Sequence, residues 1–300
     1  MPTMNAYPQT FAYAPRCMGS VASLLLLAAL HGCGGTQEPV ISVSKITYTS
    51  LDPVKALNVP AELRMPRGQK LPAVVIVHGS SGIDSRGISY AKELNAVGIA
   101  TLEIDMWAAR GISDAAGRPK SVPETLPDAY GALKFLAVQS QIDSQRIGIM
   151  GFSWGGVVTM LSATAPYTQQ YMAGSGLAFA AHAPNYPVCW VYNRVPGYAF
   201  NSFTGARVFL QGGDLDTYDL PDTCPKLALS VAAAAPPGVL RVKMYANATH
   251  GFDRSEAAVT ISDPFSHLGK GGEVLMAPNP EAAALARTAT VAFFLKQFGM

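Results

Sequence analysis

The chain has 300 residues and a mass of 31.6 kDa, with 22 Lys and Arg against 20 Asp and Glu, for a formal net charge of +2. That balance excludes a surface built to coat nucleic acid or an anionic membrane, which needs a clear cationic excess. With 49% hydrophobic and only 14% charged residues, the composition excludes disorder and points to a substantial buried core.

In chain order, the first feature is an apolar run, VASLLLLAAL, over residues 21–30. It falls short of the roughly 20 residues that a bilayer-spanning helix needs. Arg16 precedes the run, and no acid occurs before Glu38. A positive residue, an apolar stretch and then small residues are the parts of a secretory signal. The run ends in Leu30-His31-Gly32-Cys33. This resembles the lipobox of bacterial lipoproteins, which implies cleavage before Cys33 and acylation of its thiol. Residues 1–33 are therefore expected to be a signal peptide with a lipobox-like end, and 34–40 a short spacer. The mature protein is expected in the periplasm or cell envelope, held to the membrane only through Cys33. The leader also contributes part of the mean hydropathy of +0.19. Cys17 leaves with the leader, so Cys189 and Cys224 remain. An even number in an oxidising compartment predicts a disulfide between them.

From Ile41 to the end, one α/β domain is expected. ISVSKITYTS and LNVPAELRMP alternate and are partly β-branched, so they read as two early strands. LPAVVIVHG is a continuous apolar run, as in a strand buried on both faces of a parallel sheet. SYAKELNAVG is helical, with Gly98 as its stop signal. IATLEIDM is a strand, DAYGALKFLAVQ a helix, RIGIMGFS a strand and WGGVVTMLSATA a helix. LAFAAHAP, ARVFLQGG and VLRVKMYA are further strands, and EAAALARTATVAFFLKQF is a closing helix. This alternation predicts a mostly parallel central sheet with helices on both faces. Function in such sheets lies beyond the carboxyl ends of the strands.

At one such end, RIGIM runs into Gly151-Phe152-Ser153-Trp154-Gly155, and a helix follows. This is G-x-S-x-G in strand–turn–helix context, where a sharp turn exposes the serine Oγ and glycines let strand and helix nearly touch. Ser153 is the expected nucleophile, and it needs an adjacent base. The fold's chain order is serine, acid, histidine. His250 directly follows the strand VLRVKMYA, whereas His182 precedes any suitable acid and His267 lies away from a predicted strand end. His250 is the expected base. After ARVFL come Asp214, Asp216 and Asp219. Asp216, three residues beyond Gly213, is favoured, with Asp214 the runner-up. The oxyanion site is expected from the backbone N–H of Trp154 and of Ser80, with Ser81 as the alternative in His78-Gly79-Ser80-Ser81-Gly82. His78 reads as a structural residue at the base of that loop.

HGSSGID, IDMWAARG, GFSWGG, GDLDTYDLPDTC and ATHGFD, in this order, resemble α/β-hydrolases of the dienelactone hydrolase family. The resemblance runs from about residue 45 to the end. It implies an α/β-hydrolase fold, Ser153, Asp216 and His250 as the triad, and cysteines at 189 and 224 as in some members. It favours Asp216 further, because the family pattern sets the acid ahead of an aromatic and a proline, here Tyr218 and Pro221. The namesake enzyme uses a cysteine nucleophile. Position 153 is Ser, so the resemblance implies a hydrolase of general carboxylic esters rather than of dienelactone, and no arginine clamp is carried over. Arg86 and Arg110 are expected to be solvated or ion-paired.

The expected partner is a small-molecule ester, with no cofactor. Neither HExxH, paired CxxC nor a phosphate-binding GxxxxGK[ST] occurs. Trp107, Tyr218 and Phe252, together with Trp154, Tyr186 and Trp190, are the candidate pocket residues, at least half of them expected to pack in the core instead, and 185–203 is a candidate cap. The rival readings are a peptidase or polyester hydrolase on the same fold, and a non-catalytic envelope lipoprotein.

Overall fold

A computed structural model describes residues 40–232 and 235–300. The leader, the lipobox-like run, Cys33 and the spacer up to residue 39 lie outside the described residues.

The first two strands, β1 (Ile41–Thr49) and β2 (Asn58–Pro66), form an antiparallel pair. β3 (Leu71–Val77), β4 (Ala100–Ile104), β5 (Ile142–Phe152), β6 (Ala181–Asn185), β7 (Arg207–Gly213) and β8 (Leu240–Tyr245) continue the sheet. The spatial order is β1-β2-β4-β3-β5-β6-β7-β8, and every pair after β2–β4 is parallel.

The helices are α1 (Ser85–Ala96), α2 (Leu126–Ala137), α3 (Trp154–Leu161), α4 (Ala165–Met172), α5 (Thr223–Ala232), the single turn α6 (Ser266–Gly269) and α7 (Pro280–Gln297). Successive strand side chains point to opposite faces, so alternate residues of β3 serve two cores. Ala73, Val75 and Val77 belong to the core that α2, α3 and α5 cover, while Val74 and Ile76 belong to the core under α1 and α7. A strand buried on both faces gives the unbroken apolar run seen in the sequence.

The carboxyl ends of β3, β5, β7 and β8 converge on one edge. Two excursions build over that edge. One is the 105–125 connection between β4 and α2. The other is a hairpin of β9 (Val259–Asp263) and β10 (Gly272–Met276), absent from the sequence-based reading, joined through α6.

Cys189 and Cys224 are bonded, as the cysteine arithmetic predicts, and tie the segment after β6 to the start of α5 across 35 residues of chain. A crosslink closing a loop of that length stabilises the fold by about 4 kcal/mol in the chain-entropy account. Reduction, or a Cys189→Ala/Cys224→Ala pair, is expected to remove most of that in urea unfolding.

Candidate active site

Ser153 stands between the last residue of β5 and the first of α3, with φ 51° and ψ −110°. A non-glycine residue in such a conformation is strained and has to be held by its surroundings. Two contacts hold it: the Ser153 N–H donates to the Asn185 carbonyl at 3.0 Å, and the Val157 N–H donates to the Ser153 carbonyl at 2.9 Å. Gly155 permits the close approach, because a Cβ there would run into the backbone carbonyls of Val77 and His78.

The second element is a pair of loops pressed together. After β7, the Asp214 N–H donates to the Tyr245 carbonyl and the Leu215 N–H to the Ala248 carbonyl, both at 3.0 Å. Gly213 permits this, since a side chain there would collide with the Ala248 carbonyl. The turn sets Asp216 against His250. His250 Nδ1 lies 2.8 Å from Asp216 Oδ2, and His250 Nε2 lies 2.8 Å from Ser153 Oγ. Ser153, Asp216 and His250 are 8%, 9% and 1% exposed.

A carboxylate oxygen is an acceptor, so an imidazole that donates from Nδ1 to Asp216 presents Nε2 to accept from the Ser153 hydroxyl. The other oxygen of Asp216 accepts the Tyr218 N–H at 3.0 Å. Asp214 and Asp219 do not reach the imidazole. Asp219 instead accepts the N–H groups of Cys189 and Trp190, at 2.6 and 2.8 Å.

The amide of Trp154 opens α3, so it is one of the N–H groups a helix leaves without an internal acceptor. Ser80 borders Ser153 from the opposite side. Its loop is braced from behind. The Trp107 indole N–H donates to the Ser80 carbonyl at 2.9 Å. His78 Nδ1 donates to the Gly79 carbonyl at 2.7 Å, while Nε2 accepts the Met106 N–H at 3.1 Å. Burial pulls the His78 imidazole down to about 4, so it stays neutral and fills this donor–acceptor role. His78 is thus a structural residue, as the sequence suggests.

Two recesses flank Ser153. The larger is walled by Trp154, Val157, Val188, Val191 and Tyr198. The smaller opens toward His250, Arg86, Ile261 and Met276. Tyr218 borders both, and its ring centroid lies 4.3 Å from that of His250. Segment 185–203 supplies a wall through Val188, Val191 and Tyr198. Most of the aromatic side chains expected in the pocket lie elsewhere. Trp107 stands behind the Ser80 loop. Phe252 is buried in the core against Tyr186 and Tyr245. Tyr186 packs edge-on beneath His250, and Trp190 donates its indole N–H to the Phe265 carbonyl. Of the proposed aromatic wall, Trp154 and Tyr218 alone border the two recesses beside Ser153. Charged residues that sequence reasoning missed, Arg118, Lys120 and Asp263, border the larger one.

Both arginines singled out from the sequence are ion-paired. Arg110 meets the buried Asp128 at 2.6 Å. Arg86 is fully buried, binds Asp84 through Nε and Nη2, and donates from Nη1 to the Tyr186 hydroxyl at 3.1 Å. The Tyr186 and Tyr90 hydroxyls donate to Asp253 at 2.5 and 2.8 Å. Burial pushes the Asp253 carboxyl up, against the pull of Arg86. Arg86→Met would leave both carboxylates without their cation. Removing one partner of a buried pair costs about 3–5 kcal/mol, which chemical denaturation of the variant should show.

The dienelactone hydrolase family model matches residues 59–298. No curated protein sequence matches the chain. Among solved structures, a putative dienelactone hydrolase from Klebsiella pneumoniae is 18% identical, with a TM-score of 0.59 over 86% of this chain and 99% of that one. The dienelactone hydrolase-like promiscuous phosphotriesterase P91, from metagenomic libraries, is 19% identical, with a TM-score of 0.60 over 86% and 98%. Esterase 2 of Thermogutta terrifontis, phosphorylated by paraoxon, is 13% identical, with a TM-score of 0.60 over 88% and 96%. These likenesses show the α/β-hydrolase fold, and the family match spans most of the chain. The chain belongs to the dienelactone hydrolase family and is a hydrolase by that membership.

Proposed function

We propose that the protein hydrolyses carboxylic esters through an acyl-enzyme on Ser153. The observation that carries this reading is the continuous relay from Ser153 Oγ through both nitrogens of His250 to Asp216, each step 2.8 Å. Ser153 Oγ attacks the ester carbonyl carbon as its proton passes to His250 Nε2. Asp216 orients the imidazole and stabilises its cation without taking the proton. The amides of Ser80 and Trp154 receive the developing oxyanion. The bond to the alcohol breaks as His250 returns the proton to the leaving oxygen. Water then enters, gives a proton to His250, and releases the acid by the same route.

The two recesses divide the substrate. The leaving alcohol takes its proton from His250, so it belongs in the smaller recess, which His250 borders. The acyl group then belongs in the larger recess against Val157, Val188 and Val191. Aliphatic walls enclosing a tight recess suit a short apolar acyl chain. A panel of nitrophenyl esters with rising acyl length tests this: kcat/KM should peak at short chains and fall at least tenfold by dodecanoate. No hydrolysis of any ester by folded protein would refute the reading.

The leader reading carries into the same proposal. Residues 1–33 direct export and the Cys33 thiol is acylated. The Cys189–Cys224 bond supports an oxidising compartment. Incorporation of labelled palmitate into the full chain, and its loss in Cys33→Ala, is the expected result.

A further inference from the structure

An ion pair borders the larger recess. Arg118 Nη2 meets Asp263 Oδ2 at 2.7 Å, and the two side chains are only 15% and 5% exposed. The pair joins the excursion between β4 and α2 to the last residue of β9, so it links two separate segments beside the recess. Its geometry is fixed from several sides. The guanidinium carbon lies 5.7 Å from the Trp154 ring and 5.9 Å from the Phe265 ring. The second oxygen of Asp263 accepts the Phe265 N–H at 2.8 Å. The Trp154 indole is itself pinned to the Thr125 hydroxyl at 3.0 Å. The Tyr218 hydroxyl faces the same carboxylate, and burial with that charge pushes the phenol up. Lys120 also borders the recess, but it is exposed at the rim, where water screens its charge.

We propose that the Arg118–Asp263 pair sets acyl specificity, accepting short uncharged acyl groups and rejecting both long aliphatic and carboxylate-bearing ones. The inference rests on the ester-hydrolase reading above. A long chain filling the recess meets a desolvated ion pair beside the apolar walls, and burying methylenes there displaces partners the charges need. An acyl carboxylate meets a guanidinium whose counter-ion is already in place. It would have to displace Asp263 or lie beside it, which is discrimination by repulsion as well as by fit. Asp263 thereby masks a cation that would otherwise bind anionic acyl groups.

The test compares butyrate, octanoate and hemisuccinate nitrophenyl esters on the wild type, Arg118→Met and Asp263→Asn. The wild type should hydrolyse the hemisuccinate at least about tenfold less efficiently than the butyrate. Arg118→Met should raise the octanoate-to-butyrate ratio of kcat/KM at least about tenfold. Asp263→Asn, which unmasks Arg118, should raise the hemisuccinate-to-butyrate ratio by a similar factor. Fluorophosphonate labelling of Ser153 runs alongside as a readout of an intact catalytic centre. A wild type that prefers the hemisuccinate overturns the proposal with no variant needed. So do variants that label normally with unchanged ratios. Absence of labelling in the wild type would instead strike at the ester-hydrolase reading itself.

Discussion

Ser153→Ala is expected to lower kcat on a nitrophenyl ester by about 10⁶-fold, to the level sustained by binding and the oxyanion site alone. The size follows from the relay. His250 Nε2 has Ser153 Oγ as its partner at 2.8 Å, and an imidazole with nothing to deprotonate has no covalent route to offer. The variant should fold as the wild type does, because Ser153 is held by its backbone. Its N–H to Asn185 and its carbonyl to Val157 are unaffected by loss of the hydroxyl. Alanine must still adopt φ 51°, a modest penalty against the contacts that hold the turn. Thermal unfolding of the variant and steady-state kinetics together check both halves.

The second large effect separates neighbouring carboxylates. Asp216→Asn is expected to lower kcat by about 10⁴-fold, because an amide at that position favours the wrong imidazole tautomer and cannot stabilise its cation. Asp214→Asn is expected to change kcat only a few-fold. Its contribution to the turn is the backbone N–H to Tyr245, which the substitution keeps. Equal losses in the two variants would mean that the loop, rather than one carboxylate, carries the effect.

Much of this site was legible because its physics is local. A serine between a buried strand and a helix, flanked by glycines, announces its turn. The unbroken apolar run LPAVVIV announces a strand buried on both faces, which β3 is. The choice of Asp216 over Asp214 was already less local. It depends on Gly213 letting the β7 loop press against Ala248, a contact between segments that spacing can suggest but not display.

The pocket lining was the least legible part. Trp107 and Phe252 sit near the right strand ends, yet one braces a carbonyl and the other fills the core. Aromatic identity records apolar surface and not the direction it faces. Arg118 and Asp263 were missed because 145 residues separate them and neither belongs to a motif. The hairpin carried only a weak local signal: VTISD and EVLM are short, partly β-branched runs, but the segment PFSHLGKGG between them is longer than the roughly 3–5 residues that mark a hairpin in a sequence.

The most direct measurement is to treat the folded protein with a fluorophosphonate and map the adduct by mass spectrometry, with Ser153→Ala as the control. A single adduct on Ser153 that disappears in the variant is the predicted result, since only a serine whose proton is drawn to a neighbouring base attacks such a probe at neutral pH. Folded protein that stays unlabelled, or that labels elsewhere and equally in the variant, would contradict an activated Ser153 and favour a fold retained for binding alone.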